Sequence, residues 1–368
     1  MCGFNGFARR GLIYKACKHT IVGPPVAKIR GHDVEEMNLF RTCLLLASLL
    51  MLAACDRNHL VAIDGQTMGT TYSVKVYAPN VDAAKLKPAI DAELVKVNKV
   101  MSTYIPDSEL SRFNRSPVGT WFKVTPDMMK VIRLSADINS ISGGAFDVTV
   151  GPLVNLWGFG PLPMSGKVPS DAAIAAAKAD VGFHLLSIGK DELRRDADIY
   201  VDLSGVAKGY GVDAVSALLA KRGYENYLVE IGGELRAHGV NARGGPWRVA
   251  IERPDVSERV PFTAIPVKNM AIATSGNYRN YFEVNGKRYS HEIDPATGRP
   301  VTHNMASVTV LAPTDARADA LATALYVMGP KRALALAEQQ HLPVFAILKT
   351  AKGFAEKYST AFEPYLND

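Results

Sequence analysis

Cysteine is nearly missing from this chain of 368 residues. There are four, Cys2, Cys17, Cys43 and Cys55, and none follows position 55. The rest of the chain therefore forms no disulfide, binds no metal through sulfur and uses no cysteine nucleophile. Long apolar runs are equally scarce, with one clear example near the N-terminus. Charge of one sign is also weaker than it looks. The whole chain carries +6, but residues 1–54 hold 7 Lys and Arg against 3 Asp and Glu, which leaves +2 for the remainder. That balance gives no nucleic-acid footprint. Low-complexity tracts, heptads and fixed-period repeats are absent from the sequence.

The apolar run has a recognisable context. Met37 to Cys43 carries one positive charge, Arg41; Leu44 to Leu52 is apolar apart from Ser48; the small residues Ala53 and Ala54 lead to Cys55. This order is that of a secretory signal, and about a dozen apolar residues fall short of the ~20 a membrane-spanning helix needs. Leu52-Ala53-Ala54-Cys55 resembles the bacterial lipoprotein box, in which the cysteine is acylated and becomes the new N-terminus. Asp56 resembles an inner-membrane retention signal. The expected organisation is a non-native or mis-annotated extension over 1–36 with translation starting at Met37, a signal over 37–54, a tether over 55–65 and one large domain over 66–368. A cytoplasmic tail is the alternative for residues 1–36.

Periodicity then outlines the domain. Gln66 to Tyr77 alternates as a first strand, and Asp82 to Val100 repeats Ile90, Leu94, Val97 and Val100 at helical spacing. Ser102 to Asn114 reads as irregular. Thr125 caps a helix that opens at Pro126 and ends at Gly143-Gly144. Ser170 to Ala179 is a short helix. Ile199 to Leu203 reads as a strand, followed by a glycine-rich turn and a helix from about Gly211 to Arg222. Strands are expected at 227–231, 247–251, 270–274 and 308–311, a hairpin across Asn285-Gly286, and a helix from Asp315 to Met328. Strands and helices do not alternate regularly, so the expected fold class is α+β with a largely antiparallel sheet and packed helices.

Four passages carry chemistry. In Asp202-Leu203-Ser204-Gly205-Val206-Ala207-Lys208-Gly209-Tyr210-Gly211 a carboxylate leads into glycines, a lysine and a helix start, a setting for an anion. The passage is neither a Walker A loop nor G-x-G-x-x-G, and a plain tight turn is its alternative. In the helix around Asp319, that carboxylate and Thr323 lie four residues apart on one face among apolar neighbours. A buried carboxylate needs a partner, and oxygen-only donors suit a hard cation such as Mg²⁺; a salt bridge to Lys208 or Arg317 is the alternative. Ser290 to Pro300 combines strong turn chemistry with His291 and Asp294, either of which is catalytic or merely structural. Gly144-Ala145-Phe146-Asp147 sets an aromatic ring beside a carboxylate, as a ring cradle or a strand start.

Together with Met68-Gly69-Thr70, Ser102-Thr103-Tyr104, Ser108 to Asn114, Trp157 to Gly160, Glu230 to Glu234 and Thr274 to Arg279, these passages resemble the ApbE family, in family order over nearly all of the chain after the signal. Members are FAD:protein FMN transferases, usually lipid-anchored in the periplasm. The resemblance implies that Met68, Tyr104, Ala145, Phe146, Asp147, Asp202, Lys208 and Ile293 line the FAD site. It implies a metal held by Asp319, Thr323 and the backbone carbonyl of Gly205. Glu292 departs from the pattern, since an apolar residue is commoner there.

The implied reaction is Mg²⁺-assisted attack of a threonine or serine hydroxyl on the FMN-side phosphorus of FAD, with release of AMP. Lys208 would neutralise charge, and His291 and Asp294 are the candidate bases. The implied acceptors are exported flavoproteins such as subunits of membrane redox pumps. Two other readings stay open: an FAD pyrophosphatase, with water as acceptor, and a non-catalytic flavin-binding lipoprotein.

Overall fold

In a computed structural model the described residues are 58–161, 167–254, 260–277 and 281–366, without the side chain of Lys287. The extension, the signal, Cys55 and Asp56 lie outside them, as do Tyr278 and Arg279. The described residues belong to one unit, Arg57–Asp368.

The centre is an eight-stranded sheet. Its strands are β1 (His59–Thr67), β2 (Thr70–Ala78), β6 (Tyr227–Ile231), β7 (Glu234–His238), β10 (Met270–Gly276), β15 (Met305–Ala312), β16 (Val344–Thr350) and β17 (Gly353–Tyr358). They lie in the order β1-β2-β6-β7-β10-β15-β16-β17. Every pairing is antiparallel. The α+β reading therefore holds.

Alternation along the inner strands sorts their side chains to two faces. Ala271, Ala273, Val308, Val310, Val344 and Ala346 join the main core under the helices. Ile272, Leu311, Phe345 and Ile347 face the other way, against Trp247, Val249, Ile265 and Phe362. That second layer comes from the hairpin β8 (Trp247–Glu252) and β9 (Pro261–Val267). Covered on both faces, β15 is buried at every position.

The helical layer comprises α1 (Ala83–Met101), α3 (Pro126–Ser142), α6 (Ala207–Lys221), α7 (Asp315–Met328) and α8 (Pro330–Gln339). The apolar stripe read on 82–100 is buried as expected, and Thr125 caps α3 by accepting the Met128 N–H. α7 runs through the middle and is buried nearly all round, with Ala318, Ala320, Ala322 and Ala324 letting its neighbours approach. Smaller pieces complete the unit: α2 (Glu109–Asn114), β3 (Phe122–Lys123), α4 (Gly151–Leu156), α5 (Asp171–Ala179), β4 (Leu186–Ile188), β5 (Glu192–Arg195), the hairpin β11 (Tyr281–Val284) and β12 (Lys287–Ser290), and the pair β13 (Ile293–Asp294) and β14 (Arg299–Pro300). Among the described residues no helix is long and apolar enough to cross a membrane.

Four expectations change. The first strand is a hairpin, with Met68 and Gly69 both at positive φ between β1 and β2. Its first strand begins at His59, inside the stretch read as a tether. Ser102 to Asn114 ends in a short helix capped by Ser108. Ile199 to Leu203 is not a strand. Its backbone makes only an isolated bridge, Tyr200 with Val150, while the Asn114 side chain takes both backbone groups of Val201, donating to the carbonyl and accepting the N–H, each at 2.8 Å. The helix after it starts at Ala207, four residues before Gly211: Gly205 lies in the turn, but Gly209 is helical and serves a close helix crossing.

Candidate active site

Helices α6 and α7 build the floor of the site by capping each other. Neither start has a side-chain cap of its own. The Gly209 N–H in the first turn of α6 donates to Asp319 Oδ2 at 3.0 Å. In return Asp213 on α6 accepts the N–H groups of Asp315 and Ala316, each at 3.0 Å, at the start of α7. The backbones touch where they cross: a Cβ on Gly209 would lie 2.4 Å from the Asp315 carbonyl oxygen. The crossing thus fixes Lys208, Asp319 and Thr323 relative to one another. Asp319 is only 4% exposed. Burial raises its pKa, opposed by Lys208 and by the Gly209 N–H.

The walls come from loops. Phe146 is held where α3 ends, its N–H donating to Ser142 Oγ and its carbonyl accepting from Asn139 Nδ2. Asp147 accepts from the Thr149 N–H and hydroxyl and from the Phe183 N–H. Burial still pushes its pKa up. Asp202 accepts the Ser204 N–H at 2.8 Å, which closes the turn before Gly205.

Another wall carries an aromatic stack that joins Trp157 and Phe159 to the β11–β12 hairpin. Trp157 stacks on Tyr289, Tyr289 on Phe282, and Phe282 meets Phe159. The edge of Phe159 meets His291 at 6.3 Å between centroids. The Trp157 indole N–H donates to the Gly298 carbonyl at 2.9 Å, tying the stack to the turn that follows.

These parts enclose a cleft of about 290 Å³. Of the residues expected at the site, Tyr104, Ala145, Phe146, Asp147, Asp202, Gly205, Lys208, His291, Ile293, Asp319 and Thr323 all line it. Two do not. Met68 sits at the β1–β2 turn in a separate shallow depression, near Gly211 of α6. The Asp294 carboxylate instead accepts the Ala296 N–H at 2.9 Å and closes the Asp-Pro-Ala-Thr turn.

Sequence reasoning missed two lining groups, Glu234 and Ser275, and marked a third, Glu292, only as a departure from the family pattern. Glu234 is buried and ion-paired with Lys208. Ser275 lies 3.4 Å from the Thr323 hydroxyl. Glu292 reaches into the cleft beside His291. Glu234 closes the Glu230 to Glu234 passage and Ser275 lies within Thr274 to Arg279, but nothing local marked either as a partner of a residue far along the chain.

Gly205, Asp319 and Thr323 offer only oxygen, and a Cβ on Gly205 would sit 3.2 Å from Thr323 Oγ1. Among the described residues no three His, Cys, Asp or Glu side chains converge to hold a metal. The available set is one carboxylate, one hydroxyl and a backbone oxygen. That sparse, hard set fits Mg²⁺, which keeps waters and substrate phosphates as its other ligands.

The chain is similar to known proteins over most of its length. The chain is 49% identical over 326 residues to an FAD:protein FMN transferase of Vibrio cholerae, covering 88% of this chain and 98% of that protein. It is 40% identical over 344 residues to the FAD:protein FMN transferase of Escherichia coli K12, covering 89% and 97%. The solved flavin transferase ApbE from Vibrio cholerae superimposes with a TM-score of 0.79 at 47% identity, covering 84% of this chain and all of that one. The apo flavinyl transferase ApbE of Pseudomonas stutzeri gives 0.78 at 39%, covering 84% and 98%. The ApbE family model matches residues 68–364, and with the α6–α7 crossing and its cleft in place, the chain belongs to the ApbE family.

Proposed function

We propose that this protein is an Mg²⁺-dependent FAD:protein FMN transferase that joins FMN through a phosphoester to a threonine or serine of an exported flavoprotein. One observation supports this above the others: Gly205, Asp319, Thr323, Lys208 and His291 face the same cleft as Tyr104, Phe146 and Ile293. The volume is at the small end of the roughly 300–1,000 Å³ usual for ligand pockets. A dinucleotide would therefore extend over the mouth, beside Tyr104, which is 64% exposed.

Gly205, Asp319 and Thr323 would hold the metal, which when bound neutralises charge on the pyrophosphate. Lys208, steadied by Glu234, adds a fixed positive charge for the leaving phosphate. His291 takes the proton of the attacking hydroxyl; the oxygen–phosphorus bond forms as the anhydride bond breaks, and AMP leaves. The walls of the cleft bring hydroxyl and phosphorus together, and positioning supplies much of the rate in such reactions.

The test is incubation of the protein with FAD, Mg²⁺ and a flavin-acceptor domain, then a denaturing gel under ultraviolet light. A fluorescent acceptor band is expected. Free FMN and AMP without a band would identify a pyrophosphatase, and intact FAD would leave only binding.

The same reading places the enzyme at the periplasmic side of the inner membrane, anchored through acylated Cys55, where subunits of membrane redox pumps would be its acceptors. Its support is the sequence of residues 37–56. Mass spectrometry of the N-terminal peptide checks it: an unmodified Cys55, or retention of residues 1–36, would overturn the anchor.

A further inference from the structure

Glu292 follows His291 in the wall of the cleft, and its surroundings give it work to do. It is 9% exposed, and its Oε1 lies 3.5 Å from Nε2 of His291. Both side chains line the cleft. The Glu292 N–H donates to Ser290 Oγ at 3.1 Å, which bends the chain so that consecutive side chains 291 and 292 meet rather than point apart. The ring of His291 has a second constraint in the edge contact with Phe159. An imidazole held by a carboxylate at one nitrogen has its tautomer and orientation fixed at the other. The charged groups acting on Glu292 are His291, Lys208 and Asp319, and Glu292 in turn acts on Tyr326.

We propose that Glu292 is a positioning residue for the base: its carboxylate accepts the Nε2–H of His291, orients the ring so that Nδ1 takes the proton of the acceptor hydroxyl, and stabilises the imidazolium that results. The proton passes from hydroxyl oxygen to Nδ1 while Nε2 keeps its own, so Glu292 is never protonated in the step. A separation of 3.5 Å is long for a hydrogen bond, and such contacts commonly tighten only in the reacting complex. Charge separates this role from mere packing, because glutamine has the same shape and no charge.

The proposal rests on the transferase reading, so the experiment is a double-mutant cycle on flavin transfer in the full-length protein. Glu292→Gln is expected to lower kcat about 10-fold to 100-fold, the scale of misoriented acid–base groups, with the KM for FAD changed less than about twofold. Glu292→Asp should recover part of the loss. In a His291→Ala background the Glu292→Gln change should have no further effect, since a residue acting through His291 has nothing left to act on. Should His291→Ala have no measurable turnover, ¹⁵N spectra of histidine-labelled protein decide, with the His291 signal assigned by its loss in that variant. Wild type should show the Nε2–H tautomer and Glu292→Gln a mixture. Equal kcat in wild type and Glu292→Gln, additive losses in the cycle, or an unchanged tautomer would each overturn the proposal. Failure of the wild type to label any acceptor would instead overturn the transferase reading itself.

Discussion

Two aspartates one turn apart on α7 do opposite things. Asp319 faces the cleft and has the Gly209 N–H as a partner. Asp319→Ala should abolish FAD turnover while leaving the protein folded, checked by AMP release at saturating Mg²⁺. Retained turnover would sink the metal assignment. Asp315 is fully buried, and neither side-chain oxygen has a hydrogen-bond partner. Burial, then the charges of Asp213 and Asp319, raise its pKa well above the ordinary carboxylate value. The folded state therefore holds this proton more tightly than the unfolded chain. The stabilisation is complete below the unfolded pKa of about 4 and is lost as pH rises through the folded value. Asp315→Asn should accordingly raise the thermal midpoint more at pH 8 than at pH 4, and a pH-independent shift would count against the argument. The unpartnered burial of Asp315 was not legible in the sequence. Asp319 stood out through its spacing to Thr323, but the pattern Asp315-Ala316-Arg317-Ala318-Asp319 gives no sign of which carboxylate is left without a partner.

At the scale of elements, the reciprocal caps make α6 and α7 one piece. Backbone atoms crowd Gly209, and they cannot rotate aside as a side chain would. Gly209→Ala is expected to cost about 1–3 kcal/mol of stability, the usual range for overpacking, and to lower turnover because Lys208 moves relative to Asp319. Denaturant unfolding with a parallel activity assay checks both. The same crossing explains a misreading. Gly205, Gly209 and Gly211 in one short stretch look like a turn, so the helix was expected to begin at Gly211, whereas it begins at Ala207. Helices with local caps, at Thr125 and Ser170, were legible to within a residue. So was the hairpin at Asn285-Gly286, both at positive φ. The hairpin at Met68-Gly69 was not, because methionine rarely adopts that conformation and gives no signal for it. Residues 199–203 looked like a strand for a different reason: their apolar run is buried, but their backbone makes only an isolated bridge, Tyr200 with Val150, and both backbone groups of Val201 go to the side chain of Asn114, far away in sequence.

Across the whole molecule, the ordered blocks of sequence made the fold class and most of the cleft readable. What stayed hidden were contacts that only the three-dimensional arrangement creates, such as Glu234 on Lys208. The aromatic stack is one such contact, and it has an optical consequence. The chain has three tryptophans. Trp121 is on the surface, Trp247 lies under the far face of the sheet, and Trp157 leans through Tyr289 and Phe282 towards the wall of the cleft. Flavin absorbs where indole emits, so a protein carrying Trp121→Phe and Trp247→Phe should show emission that falls as FAD is added and returns when a competing nucleotide displaces it. With Trp157→Phe and the other two kept, the quenching should be much weaker. Trp157 would then serve as a built-in fluorescent gauge of occupancy, reporting flavin arrival and departure in real time without any label.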